Sequence, residues 1–258
     1  MFPGLFPEIA CVYSNSIAEL PLLPATLRKL YLTKNQISAM PDEWRDMSLE
    51  EVKLDDNQLV EIPHWFGEPG PLTDSLLELD LDHNRLSDLP PKFCSAKVSG
   101  TGQPAGRRFA LDLDHNRFKE FPATLAGCTG LTGLELGSNL LHGAVPAFIG
   151  SLTSLTYLKL SHNRIESLPE SIGDLRELTS IDLSRNIMRS LPVSLGRLYL
   201  LETLVLESNL LEDLPETYEM MSLRWLDVSA NALTTLPAWV GSTQLTYLNV
   251  RQNHLRCD

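Results

Sequence analysis

The sequence is poor in the features that mark several common protein classes. It has four cysteines in 258 residues, Cys11, Cys94, Cys128 and Cys257, far apart and with no Cys-x-x-Cys pair. That spacing suggests neither a disulfide scaffold nor a zinc site. Basic residues are scarce: 21 Lys and Arg stand against 33 Asp and Glu, for a net charge of −12. Nucleic acid and anionic membrane surfaces need a basic face, so neither is an expected partner. No apolar run approaches the ~20 residues that span a bilayer, and no membrane insertion is expected. The N-terminus lacks the basic region of a secretory signal, and Pro3, Pro7 and Glu8 break its apolar stretch. A cytoplasmic chain is the expectation. Apolar residues, by contrast, are plentiful: 43% hydrophobic and 21% charged residues exclude wholesale disorder.

A repeat organises those apolar residues. Aligned on Asn15, Asn35, Asn57, Asn84, Asn116, Asn139, Asn163, Asn186, Asn209, Asn231 and Asn253, the chain falls into units 20, 22, 27, 32, 23, 24, 23, 23, 22 and 22 residues apart. An apolar residue sits five and three positions before each asparagine and two after it. For Asn163 these are Leu158, Leu160 and Ile165, with Leu155 at minus eight. The Asn15 unit fits more weakly. Alternation of apolar residues predicts a short strand with one buried face. Some twenty residues cannot bury that face alone, so the units must stack. The asparagine falls where the chain leaves the strand, and its amide can satisfy the backbone of that turn. A proline follows each strand, as at Pro41, Pro169 and Pro192, with a large apolar residue three positions later, as at Trp44, Ile172 and Tyr218. Proline bars a strand there and suits the start of a short helix or 3₁₀ turn.

The segments LTYLKLSHNRIESLP, LTSIDLSRNIMRSLP and LRWLDVSANALTTLP resemble the leucine-rich-repeat pattern LxxLxLxxNxLxxLP over nearly the whole chain. The resemblance implies an α/β, right-handed leucine-rich-repeat solenoid, a horseshoe with about eleven short parallel strands on its concave face. The short units ending in LPxxL are similar to the intracellular Ras-group and Scribble-like class. One unit, Asn139-Leu-Leu-His-Gly-Ala-Val-Pro146, resembles a plant receptor type. Residues 1–24 form an N-terminal segment with a degenerate first repeat, and 25–258 the repeats proper. Insertions lie near 64–71 and 94–108 and are expected to bulge on the convex or lateral side. The second, with Gly100, Gly102, Gly106, Lys97, Arg107 and Arg108, lacks a phosphate-loop pattern and reads as a flexible loop or as a basic docking tag. The last repeat reads as incomplete and uncapped, an end that more chain or a partner would cover. Phe2, Leu5 and Phe6 are available to shield the first layer.

Alternate strand residues, at minus six, four and two from each asparagine, should face the concave surface. In three adjacent units these are Glu51, Lys53 and Asp55, then Glu78, Asp80 and Asp82, then Ala110, Asp112 and Asp114. Seven of the nine are acidic. Residues 42–82 hold 13 of the 33 acidic residues and two basic ones. Such a strip either steers a basic protein partner or is a solvated face. Aspartate at minus four, as in Asp80, Asp112, Asp182 and Asp227, is common in the family pattern, whereas Asp55, Asp82 and Asp114 stand where serine is usual. Later units offer Tyr157, Lys159, Trp225, Tyr247 and Arg251 instead, hot-spot material or ordinary cross-strand packing. His83 and His115 follow Asp82 and Asp114 and have suitable metal-ligand types, but His162 holds the same place without acidic neighbours. A habit of the repeat explains all three more economically, so no metal, cofactor or catalytic residue is expected. The resulting expectation is a non-enzymatic interaction module or scaffold that binds protein through the concave face. The alternatives are a structural subunit of a large assembly and the recognition arm of a larger signalling enzyme.

Overall fold

The computed structural model describes residues 8–20, 23–94, 109–216 and 220–256. Tyr218, residues 95–108, and Phe2, Leu5 and Phe6 therefore lie outside the described residues. The chain divides into two compact units. The first comprises residues 1–118 and 122–131, and the second 119–121 and 132–258. Both are leucine-rich-repeat solenoids.

In the first unit, β1 (Ile9–Cys11), β2 (Lys29–Tyr31), β3 (Glu51–Lys53), β4 (Glu78–Asp80) and β5 (Phe109–Asp112) pair in parallel in chain order. The second unit holds all but the first residue of β6 (Leu131–Glu135), then β7 (His142–Ala144), β8 (Tyr157–Lys159), β9 (Arg164–Ser167), β10 (Ser180–Asp182), β11 (Thr203–Val205), β12 (Trp225–Asp227) and β13 (Tyr247–Asn249). Here β6, β8, β10, β11, β12 and β13 form one parallel ladder. A second parallel pair, β7 with β9, begins in the departing Asn139 unit. It contains Gly143 at φ 76, next to a register shift, a conformation that glycine adopts without steric cost.

One turn explains the repeat. The residue before each asparagine is left-handed: φ is 54 at Asp56, 50 at His83, 56 at His162 and 55 at Arg185. The chain leaves the strand there, and the asparagine amide falls into the space beneath. Asn57 Nδ2 donates to Leu54 O (3.0 Å) and Asp55 O (3.1 Å) of its own unit and to Leu32 O (2.9 Å) of the one before. Its Oδ1 accepts from Ile37 N at 3.0 Å. Asn163, in the second unit, donates to Leu160 O, Ser161 O and Leu136 O and accepts from Leu141 N. Each of these two amides thus serves four backbone groups, of which Asp55 O and Ser161 O also accept from Lys34 N and Ser138 N of the preceding repeat.

The apolar frame packs as its period requires. Leu155, Leu158, Leu160 and Ile165 are fully buried, as are Leu178, Ile181, Leu183 and Met188, each contributing about 1.5–3 kcal/mol of transfer free energy. Opposite the sheet, 3₁₀ turns follow the prolines, as at Asp42–Asp46, Glu170–Asp174 and Val193–Arg197. The prolines stand one residue ahead of these turns rather than inside them, in extended conformation. Trp44, Ile172 and Leu195 are buried, as expected. A Cβ added at Gly173 would lie 2.5 Å from Ser194 O, so adjacent turns approach as closely as glycine allows. Among the described residues, no helix is long and apolar enough to cross a membrane.

Phe66, three residues after Pro63, is buried as the repeat predicts. Two features of the first unit go beyond the repeat. The insertion at 64–71 is packed at one end, with His64, Glu68, Pro69 and Pro71 exposed. It forms a 3₁₀ turn (His64–Gly67) and leads into a short α-helix (Pro71–Ser75). Trp65 and Phe66 are buried there, with Phe66 stacked on Phe93 and Trp65 Nε1 donating to Asp42 Oδ1. Second, and against the expectation from cysteine spacing, Cys94 and Cys128 form a disulfide. Both are buried. The bridge joins the unit carrying the longest insertion to the next one. It is a single staple, not a scaffold.

Candidate functional site

The open sheet face of each unit is built by alternation. On β3 and β4 the central residues Val52 and Leu79 are buried, while Glu51, Lys53, Glu78 and Asp80 are half-buried on the open side. Register aligns Lys29 with Glu51 and Glu51 with Glu78, and Lys53 with Asp80 and Asp80 with Asp112.

The acidic strip is partly neutralised from within. Lys29 reaches Glu51 at 2.8 Å, and Lys53 reaches Glu78 at 2.9 Å and Glu51 at 3.6 Å. Burial works to raise the Glu51 carboxyl, but hydrogen bonds to Lys29 and Tyr31 prevail and hold it below its ordinary range. The bond to Glu78 raises the Lys53 ammonium, against burial. Asp80 is the opposite case. Burial pushes its carboxyl up to about 6, with Asp55 and Asp82 adding repulsion, although the Asp82 N–H donates to it.

Asp114 corrects the expected strip: its carboxylate lies within 4.8 Å of that of Asp112, but it is only 2% exposed and is not available to a partner there. The regular strands β3 and β4 end at minus four, so alternation stops before minus two. Burial at minus two varies along the chain: Ser161, Ser184 and Ser229 are buried like Asp114, whereas Thr33, Asp55, Asp82 and Glu207 are half-buried and Arg251 is exposed. The minus-four aspartates have a structural task there. Asp80, Asp112, Asp182 and Asp227 each accept a hydrogen bond from the backbone N–H two residues on. Asp55 remains half-buried and accepts from Thr33 Oγ1 at 2.7 Å. Asp82, Glu51, Glu78, Asp80 and Asp112 also keep partial exposure.

Beside Asp82 lie the two histidines that the repeat stacks one unit apart. His83 and His115 stack with ring centroids 3.8 Å apart and an interplanar angle of 13°. Their Nδ1 atoms lie 2.7 and 3.1 Å from the two oxygens of Asp82.

In the second unit, Trp225 is 42% exposed. It aligns with Tyr247 on the neighbouring strand and stacks on it at 3.6 Å and 10°. Tyr157 is not part of this cluster. Ser180 and Thr203 occupy the two rows between Tyr157 and Trp225, three strand steps or about 14 Å. Lys159 pairs with Glu135 at 3.2 Å. Arg251 is exposed, and its N–H donates to Asn249 Oδ1. The sequence reading missed Lys29, Tyr31 and Thr33, although they stand in the same frame one unit before Glu51.

This ladder of asparagines beneath parallel strands defines a repeat protein, and sequence comparison agrees. Profiles of the leucine-rich repeat match residues 129–188 and 199–255, and residues 75–96, together more than half of the chain. The chain belongs to the leucine-rich-repeat family. It is 29% identical over 150 residues to the mouse leucine-rich repeat serine/threonine-protein kinase 1, covering 56% of this chain and 7% of that protein. It is 42% identical over 81 residues to human lumican, covering 30% of this chain and 23% of lumican. The chain thus spans under a quarter of the length of either relative. Among solved structures it is similar to the ectodomain of the Arabidopsis thaliana receptor kinase GASSHO1/SCHENGEN3 in complex with CASPARIAN STRIP INTEGRITY FACTOR 2 (TM-score 0.79, 33% identity, 97% of this chain and 30% of that one). It is also similar to the effector YopM of Yersinia pestis (TM-score 0.69, 30% identity, 95% and 61%). Proteins of this family are generally interaction modules.

Proposed function

We propose that the chain is a non-enzymatic protein-binding module that engages its partner through the open, concave sheet face. The observation that carries this reading is Trp225, a large aromatic left 42% exposed on a sheet face and braced by Tyr247. A tryptophan held rigid by a stacked neighbour offers contact area at low entropic cost, which is the character of a binding hot spot. The partly exposed carboxylates Asp55 and Asp82 provide charge for a basic partner surface in the first unit. The similar receptor ectodomain bound to CASPARIAN STRIP INTEGRITY FACTOR 2 supports a protein or peptide ligand. The similarity to part of a mouse kinase supports a second reading, the recognition arm of a larger signalling enzyme. The 22–24-residue spacing of the later units supports the Ras-group or Scribble-like class. For the compartment, Cys94–Cys128 favours an oxidising setting over the cytoplasmic expectation, because such bridges persist where thiols are not kept reduced.

Affinity capture with the intact chain tests the proposal. Capture by the wild type should be lost with Trp225→Ala and weakened with Asp55→Ser/Asp82→Ser, while Val193→Ala on the other side keeps it. Equal capture by all four would remove the open face from consideration.

A further inference from the structure

We propose that Asp82, His83 and His115 form a binding site for a divalent transition-metal ion of the zinc type. The backbone sets it up. His83 and His115 occupy the left-handed position before the ladder asparagine in adjacent repeats, at φ 50 and 47. Stacking the repeats therefore brings equivalent side chains face to face. Their rings lie 3.8 Å apart, and both remain accessible, at 47% and 45%. Asp82 divides its two oxygens between the two Nδ1 atoms, at 2.7 and 3.1 Å.

Two imidazole nitrogens converging on one carboxylate are a donor set for a cation. A neutral imidazole that gives up its Nδ1 proton to the other ring nitrogen becomes a ligand without change of charge. With both protons moved to the outer ring nitrogens, the two Nδ1 atoms and the Asp82 carboxylate are left as donors to one ion. The donor atoms all lie within 4.8 Å of one another. Tetrahedral zinc, with bonds of about 2.0–2.1 Å, sets its ligands about 3.3 Å apart. The two Nδ1–oxygen distances of 2.7 and 3.1 Å are already shorter than this, so the part-exposed rings must tilt out of their stack to aim both in-plane lone pairs at one ion. Two nitrogens and one carboxylate suit zinc, nickel or copper rather than calcium or magnesium. Three protein ligands leave a position for water or for a group from a partner. Asp80 and Asp112, paired in register on the adjoining strands, add negative potential that favours a cation.

His162 shows that the repeat does not require this arrangement. It holds the same left-handed position at φ 56, but Ser138 and Arg185 occupy that place in the neighbouring units, and Ser161 replaces the aspartate. The proposal is independent of partner binding by Trp225, which lies in the other unit.

The test is a zinc titration of the intact chain against a chromophoric chelator, with imidazole proton resonances followed in parallel. Alanine is the natural probe, because Ala230 already adopts φ 52 at the equivalent position. Zinc should bind at one equivalent and shift two histidine ring signals. His83→Ala and His115→Ala should each lower the affinity at least about ten-fold, since losing even an outer partner of a ligand costs that much. His162→Ala should bind as wild type. Should zinc bind the His83→Ala/His115→Ala double variant as it binds the wild type, or leave both wild-type ring signals unmoved, the site is overturned. The resonance measurement needs no variant, so it decides the matter even if a substitution perturbs folding.

Discussion

The two units solve the same packing problem and differ in nearly everything else. In both, the asparagine amide makes the same four bonds, at Asn57 as at Asn163. In both, the inward residues of the interior strands are buried, while Ala10 on β1 and Leu248 on β13 keep exposure. Yet the first unit carries both long insertions, a disulfide and charged open-face rows linked by Lys29 and Lys53. The second has neither long insertion, adds the small β7–β9 pair, and carries an exposed tryptophan-tyrosine stack. Inward positions are fixed because each layer is the floor of the next, so an error propagates through nearest-neighbour contacts. Outward positions answer to no such rule. They are where function can be written, and there the two units diverge.

The largest expected effect breaks the comparison. Among the described residues, the disulfide staple lies in the first unit. Replacing both Cys94 and Cys128 by alanine removes a link across 34 residues of sequence, worth roughly 2–4 kcal/mol through the unfolded state. The loss should fall on the first unit alone. Hydrogen exchange resolved by segment should therefore quicken across β2–β5 and leave β10–β13 unchanged. Equal loosening of both would mean that the units unfold as one.

The next effect sharpens it. Asn57→Ala and Asn163→Ala should each cost roughly 1–3 kcal/mol, because buried backbone groups lose their partners. The two shifts in denaturant midpoint should agree closely. A midpoint unmoved by either would contradict the ladder.

This ladder was legible because it recurs: eleven asparagines in one frame leave little choice of fold. The same frame located the open-face rows, and Trp225 and Tyr247 with them. It failed where the answer lay between units. Cys94 and Cys128 meet because stacking brings successive turns together, which linear separation conceals. The burial of Asp114 was not legible either, because Asp55 and Asp82 hold the same minus-two position and stay partly exposed. The neutralising Lys29 stands in register with Glu51 and could have been read by starting the strip one unit earlier. His83 and His115 repeat visibly, but their shared grip on Asp82 depends on the left-handed backbone before each asparagine, which residue spacing does not report.

The smallest effect concerns the cost of the acidic rows. The Asp80 carboxyl is pushed up to about 6, first by burial and then by the Asp55 and Asp82 charges. The sign follows from proton counting. Between the unfolded value near 4 and the folded value near 6, the native state holds the proton more often, so stability falls as pH rises through that window. Above it, the ionised carboxylate is a standing penalty of about 1 kcal/mol, once its partial exposure to screening solvent is allowed for. Asp80→Asn retains the oxygen that accepts from the Asp82 N–H and removes the charge. The variant should therefore be more stable than wild type at pH 7 and equal to it at pH 4, with the difference opening between those values. Denaturant titrations at pH 4, 5, 6 and 7 would trace it. A variant less stable than wild type at pH 7 would mean that the charge helps hold Lys53 in place. The acidic row would then belong to the fold, as the asparagines do, rather than to the surface left free for a partner.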